Sequence, residues 1–286
     1  MTPATQNTME DRITVEERIT QQVIDRIGAA TEPRLRAVMS ALIAHLHAFA
    51  REVELTESEW STAIDFLTRT GQKSVGGRQE FILLSDVLGL SMLVDAINHR
   101  GADGATETTV FGPFYRGEQP LHEDGATILK RPEPAPAVRI LGRVDSTGGE
   151  PIADALVEVW QVDAAGLYDA QDPSIPPGHM RGSFRTGPDG RFSFVTIVPV
   201  TYSIPTDGPV GELLAALGRH GRRPAHIHFM ISAPGHERLV THLFAAGDAY
   251  LDGDAVFGVK PSLIVPMHGN EVEATFVLQR KPRAGD

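Results

Sequence analysis

The sequence predicts an α+β protein in two parts: helices in residues 1–107, then a mainly antiparallel β-sandwich in 108–286. Three observations predict it. Up to about Arg100, apolar residues recur at helical spacing. From about Thr108, Gly and Pro become frequent and short alternating runs replace the long stripes. Those runs return at regular intervals with turn signals between them, the pattern of a sandwich. With 286 residues, 41% of them hydrophobic, the chain allows one large or two modest domains with a sizeable core.

The helical part opens with a loose stripe of Ile13, Ile19, Val23, Ile24 and Ile27. A clearer one follows: Leu35, Val38, Met39, Leu42, Ile43, Leu46 and Phe49, the i, i+3, i+4, i+7 face of an amphipathic helix. Thr56 with Glu59 three residues later is a capping box, opening a helix that carries Trp60, Ile64 and Leu67. Gly71 is expected to stop it. After Gly76-Gly77, a fourth helix is expected from about Gln79 to His99, ending before Gly101, with more than one face buried.

In the second part, Val138 to Val144 reads as a strand, then a turn at Ser146-Thr147-Gly148-Gly149, then a strand from Ala155 to Val162. Gly187-Pro188-Asp189-Gly190 is a turn before the strand Arg191 to Val195. Further strands are expected at Ala225 to Ser232, Leu239 to Ala245, Ser262 to Val265 and Glu273 to Leu278. The Pro-rich run Arg131 to Pro136 reads as extended. The long polar stretch from about Tyr168 to Arg185 reads as a loop, and loops of that length often carry function.

Composition narrows the function classes. The formal net charge is -11 with no dense basic block, so the surface repels phosphate backbones and nucleic-acid binding is excluded. There is no Cys, hence no disulfide, thiolate metal site or iron–sulfur cluster. Met1 to Asp11 lacks the pattern of a signal peptide. The apolar stretch from Phe81 to Ile97 is broken by Ser85, Asp86, Ser91 and Asp95 and is no membrane span. A soluble cytoplasmic protein is expected.

The chemistry centres on His226 and His228, two apart in a β-branched run. In a strand such residues share a face with Cα atoms roughly 6–7 Å apart, so both imidazoles can reach one metal ion. They could equally be core histidines satisfied by hydrogen bonds. No acid follows until Glu237, which argues against a facial-triad iron site and a His₂Glu zinc hydrolase. Only four tyrosines exist: Tyr115, Tyr168, Tyr202 and Tyr250. Tyr168 follows one strand and Tyr202 ends another. Each alone reads as an ordinary amphipathic side chain. Together, as two phenolates with one hydroxide, they would balance the charge of Fe(III), with two neutral imidazoles completing the site.

At this point several motifs occur in order: Thr109-Val110-Phe111-Gly112-Pro113-Phe114-Tyr115, Val157-Glu158-Val159-Trp160-Gln161, and the run Tyr202 to Gly211. Arg223-Pro224-Ala225-His226-Ile227-His228-Phe229 and Gly247-Asp248-Ala249-Tyr250-Leu251-Asp252 complete the set. Together they resemble the intradiol ring-cleaving dioxygenases over most of the chain. The resemblance implies one Fe(III) per chain, held by Tyr168, Tyr202, His226 and His228. It implies a homodimer joined through the N-terminal helices, so that 1–107 is a dimerisation domain, with a phospholipid bound there. It implies a pocket of Leu83, Asp86, Val110, Phe111, Gly112, Pro113, Phe114, Ile204, Pro205, Arg223 and Val256.

The implied reaction inserts both atoms of O₂ between two adjacent ring hydroxyls of a small aromatic diol or triol. Tyr202 would act as the displaceable axial ligand and proton acceptor, with His228 opposite and Tyr168 and His226 equatorial. Arg223, always protonated, would stabilise charge developing on the ring. Val110 and Pro113 could also be plain loop packing, and Arg223 a simple ion pair. Asp86 is different, because a carboxylate on an apolar helix face costs energy unless paired or hydrated. It is the candidate acceptor for a third ring hydroxyl, which favours 1,2,4-trihydroxybenzene over catechol or chlorocatechol. A rival of another class is a non-catalytic transthyretin-like sandwich, which the run from Gly142 to Val157 would suit.

Overall fold

A computed structural model describes residues 9–76, 78–100, 104–117 and 119–281. Gly77 and Gly101, read above as turn and helix stop, lie outside the described residues, as does most of the polar start. The chain divides into two compact units, the first ending at Leu67 and the second beginning at Thr68.

The helical region begins with α1 (Met9–Asp25), α2 (Pro33–Glu52) and α3 (Glu57–Lys73). Glu32 caps α2, its carboxylate accepting the backbone N–H of Arg34 at 2.8 Å and Leu35 at 2.7 Å, and Pro33 supplies a preset first turn. The capping box of α3 forms: the Thr56 N–H donates to Glu59 Oε2 at 2.9 Å and the Glu59 N–H to Thr56 Oγ1 at 3.3 Å. Gly71 does not stop α3, which runs on to Lys73. A Cβ at Gly71 would stand 3.7 Å from the Phe81 ring, so the glycine serves close packing there.

The expected long fourth helix is two helices, α4 (Glu80–Val87) and α5 (Leu90–Asn98). Gly89 divides them with φ of 74°, a left-handed conformation that glycine adopts without penalty. The break separates two environments. α4 buries Glu80, Leu83, Asp86 and Val87, whereas α5 buries no residue and leaves Leu90, Leu93, Val94 and Ile97 exposed.

The strands are β1 (Ala137–Ser146), β2 (Leu156–Trp160), β3 (Arg181–Arg185), β4 (Arg191–Ile197), β5 (Tyr202–Ser203), β6 (Arg222–Arg223), β7 (His226–Ser232), β8 (Leu239–Ala245), β9 (Ile264–Val265) and β10 (Glu271–Leu278). α6 (Pro209–Ala216) lies between β5 and β6. The end of the stretch read as one loop is therefore a strand, β3. Its sequence Arg-Gly-Ser-Phe-Arg has no apolar alternation, yet four of its five residues are buried.

One sheet has the order β10-β1-β4 and the other β3-β2-β7-β8-β9, with β5 and β6 a separate pair. Pairing is mainly antiparallel. The exceptions are β1 with β10 and β8 with β9, both parallel. Period-two alternation builds the core between the sheets. Val138, Ile140, Val144, Phe192, Phe194 and Phe276 from one sheet meet Val157, Val159, Ile227, Phe229, Ile231 and Leu243 from the other. Ile227, Phe229 and Ile231 thus anchor β7, the central strand of the larger sheet, and turn its histidines to the opposite face.

Candidate metal centre

Register places the chemistry in one row across the larger sheet. Arg181 pairs with Trp160, Trp160 with His228, and His228 with His242, so four strands contribute directly opposed residues. The Trp160 indole stacks on His228 with centroids 4.7 Å apart. His226, two residues before His228, sets its ring by donating Nδ1–H to the Pro224 carbonyl at 2.6 Å, which leaves Nε2 free to bind.

Two further segments close over these rings. Asp163 accepts the backbone N–H of Ala165 at 2.9 Å and Leu167 at 3.0 Å, shaping the turn that delivers Tyr168. The Phe114 ring stacks on Tyr168 at 4.4 Å. Tyr202 comes from β5, which pairs it with Arg223 on β6. The donor atoms then meet. Tyr168 Oη lies 3.0 Å from His228 Nε2 and 3.4 Å from Tyr202 Oη, and the two histidine Nε2 atoms are 3.2 Å apart. Arg223 Nη1 is 3.4 Å from Tyr202 Oη and 3.2 Å from His226 Nε2. All of these side chains are buried.

The electrostatics suit a cation. Burial, then the Arg223 charge, pushes the His226 imidazole down to about 3. Burial, then His242, holds His228 well below its ordinary range, and burial, then His226, does the same to His242. The three imidazoles are neutral at pH 7, the form that binds metal. Burial, then Tyr202, holds the Tyr168 phenol well above its ordinary value, so ionising it calls for a positive partner. His226, His228 and His242 offer ring nitrogens all within 4.8 Å of one another, a cluster able to hold a metal ion.

Arg223 is fixed by a residue that sequence reasoning missed. Asp254 accepts its Nε–H at 3.0 Å and its Nη2–H at 3.3 Å, and also the backbone N–H groups of Val256 and Gly258. Burial opposes the Arg223 charge, but Asp254 and then Tyr202 more than offset it and its pKa is raised. The same pairing outweighs burial at Asp254 and lowers its pKa. His242 was not assigned to the site either. Its signal was available: in the run Leu239 to Ala245 it alternates with core-facing Leu243 and so faces the way His228 does.

The expected pocket residues divide into groups. Leu83, Val110, Ile204 and Val256 pack in one buried cluster. Asp86 is buried on α4, and burial raises its pKa, with Ser91 and then Arg223 offsetting this in part. Gly112 has φ of 75°, and a Cβ there would stand 3.3 Å from His228 Cε1, so that loop crosses close over the imidazole. Phe114 covers Tyr168, while Phe111 is exposed and packs edge-on to Trp160 at 6.0 Å. Pro113 and Pro205 are half-buried.

Buried imidazoles and phenols, with no sulfur, gathered on the outer face of a β-sandwich define a mononuclear non-haem metal enzyme. Comparison with known proteins narrows the class. Residues 110–279 match the Dioxygenase family and residues 32–106 match the family described as Catechol dioxygenase N terminus. The chain is 54% identical to 6-chlorohydroxyquinol 1,2-dioxygenase of Cupriavidus pinatubonensis, covering 86% of this chain and 89% of the relative. It is 48% identical to hydroxyquinol 1,2-dioxygenase of a Rhizobium species, over 90% and 87%. The crystal structure of hydroxyquinol 1,2-dioxygenase from Pseudomonas putida superposes with a TM-score of 0.86 at 47% identity, covering 94% of this chain and 100% of that one. The chain belongs to the intradiol ring-cleavage dioxygenase family, whose members are non-haem iron enzymes. A non-catalytic transthyretin-like module is thereby set aside. No helix among the described residues is long and apolar enough to cross a membrane.

Proposed function

We propose that this enzyme cleaves hydroxyquinol, 1,2,4-trihydroxybenzene, between its adjacent hydroxyls, adding both atoms of O₂ to give 3-hydroxy-cis,cis-muconate, which tautomerises to maleylacetate. The observation that carries the substrate choice is Asp86, a carboxyl buried on α4 whose field reaches Arg223. Ser91 already hydrogen-bonds that carboxyl; a third ring hydroxyl adds a further donor to it, which a diol does not supply. The relatives named for hydroxyquinol and its 6-chloro form share that triol ring. Catechol 1,2-dioxygenase of Acinetobacter radioresistens, at 27% identity and a TM-score of 0.84, shares the fold with less sequence.

Tyr168, Tyr202, His226 and His228 would hold one Fe(III) per chain. The phenols are proposed as the other ligands because Tyr168 Oη lies 3.0 Å from His228 Nε2 and 3.4 Å from Tyr202 Oη. Bound iron supplies a Lewis acid that draws electron density from the diol. Tyr202 Oη accepts a substrate hydroxyl proton. Arg223, held by Asp254, stabilises negative charge on the ring and its oxygens. Leu83, Val110, Ile204 and Val256 exclude water, with Phe111, Gly112, Pro113, Phe114 and Pro205 bordering the ring.

Residues 1–107 serve in this reading as a dimerisation domain and 108–286 as the catalytic domain, in the cytoplasm. The exposure of Leu35, Leu42, Leu46 and Phe49 on α2 supports a second copy packing there, with a phospholipid between the copies. The test is kcat/KM on hydroxyquinol and catechol with iron-loaded protein. A preference for hydroxyquinol of tenfold or more, roughly one hydrogen bond, is expected. Equal or better use of catechol overturns the substrate, and cleavage of neither ring overturns the reading.

A further inference from the structure

Arg181 is a buried charge that ring cleavage as derived above does not use. It opens the edge strand β3, pairs across the sheet with Trp160, and is 1% exposed. Its Nε–H donates to Asp169 Oδ1 at 2.8 Å, and Asp169 is the chain neighbour of Tyr168. Nη1 and Nη2 find no acceptor among the described residues. A guanidinium buried with two unmatched donors is costly, and a purely structural edge position would be filled better by an apolar residue. What the guanidinium does face is an aromatic ring: its Cζ stands 5.6 Å from the centroid of Tyr168, within cation–π range.

We propose that Arg181 is a positioning residue for Tyr168, its guanidinium lying against the phenol ring and tied to the neighbouring Asp169 so as to fix the ring in place and to limit how much electron density it gives the iron. The inference rests on Tyr168 being a ligand. A positive charge at the ring lowers the energy of its filled π orbitals. Phenolate-to-iron charge transfer then needs more energy and its band lies at shorter wavelength. Asp169 works against this, because its carboxylate offsets part of the guanidinium charge. The two residues therefore act with opposite sign, which a packing role would not produce.

The test is the visible spectrum of the ferric protein at matched iron content, with iron affinity measured by chelator competition. Arg181→Met should move the band to longer wavelength and weaken iron binding roughly 10–100-fold, the range for changes beside a ligand. Arg181→Lys should restore most of both. Asp169→Asn should move the band to shorter wavelength, and it keeps the proposal testable if Arg181→Met fails to fold. Shifts of the same sign in Arg181→Met and Asp169→Asn, or no shift in either, overturn the inference. Tyr168→Phe separates this from the ligand assignment. If that variant keeps the native band, Tyr168 is no ligand and the wider reading fails. If it alters the band, and Arg181→Met then shifts it as far as in the native background, Arg181 acts elsewhere and this inference alone fails.

Discussion

Replacing Asp254 by Asn removes the charge that holds Arg223 while keeping size and one acceptor. Both side chains of the pair are at most 3% exposed, and their two hydrogen bonds are 3.0 and 3.3 Å long. Stranding one member of a buried ion pair costs about 3–5 kcal/mol. The amide oxygen that remains recovers part of this, leaving about 2–4 kcal/mol. For a unit of this size each kcal/mol moves Tm by about 2–4 °C, so a fall of about 4–16 °C is expected by calorimetry. Arg223 also loses its aim at Tyr202 and His226, and kcat/KM should fall roughly 100-fold, as for an ångström-scale misplacement. Acid gives a second readout. The Asp254 pKa is lower in the folded protein than in the unfolded chain, so the pair stabilises the fold above about pH 4 and that stability drains away as pH falls through the folded value. The native protein should lose Tm over that window, and Asp254→Asn should lose less. A variant with Tm within about 2 °C of native, below the change that 1 kcal/mol brings, and unchanged kcat/KM would refute the assignment.

Tyr168→Phe and His226→Ala should each weaken iron retention by more than about tenfold, read by metal analysis after dialysis against a chelator, since each deletes a proposed ligand. Asp86→Ala should narrow the preference for hydroxyquinol over catechol by about tenfold, and unchanged discrimination would remove Asp86 as its cause. Gly112→Ala forces a Cβ onto a left-handed backbone beside His228 and should cost about 1–2 kcal/mol, seen as a lower Tm together with weaker iron binding. Thr56→Ala removes the α3 cap and should cost about 1 kcal/mol in denaturant titration without altering the visible spectrum.

What the sequence made legible was whatever has a period. The α2 stripe, the capping box at Thr56 and the strands carrying Val138 and His226 all appear where their spacing placed them. The break at Gly89 was lost because apolar residues on both sides continue one helical pattern. The strand at Arg181 was lost because its burial comes from the fold and its polar residues hide it. In the site, His226 and His228 announced themselves by sharing a strand. Tyr168 and Tyr202 were singled out by scarcity and resemblance. Asp254 and Arg181 gave no such sign, since each draws its meaning from a partner distant in sequence: Arg223 for one, the Tyr168 ring for the other.

The parallel pairing of β1 with β10 has a consequence for how the chain is made. β1, at Ala137–Ser146, has β4 on one side and β10, at Glu271–Leu278, on the other. During synthesis β4 arrives early, but the other edge of β1 stays open until residue 278 has left the ribosome. All the residues gathered around the metal centre are translated before that moment. The nascent chain therefore carries its whole binding chemistry while one sheet still presents a bare edge, the feature through which strands of neighbouring chains associate. Until β10 arrives, that edge of β1 is the place where association with a neighbouring chain competes with native pairing.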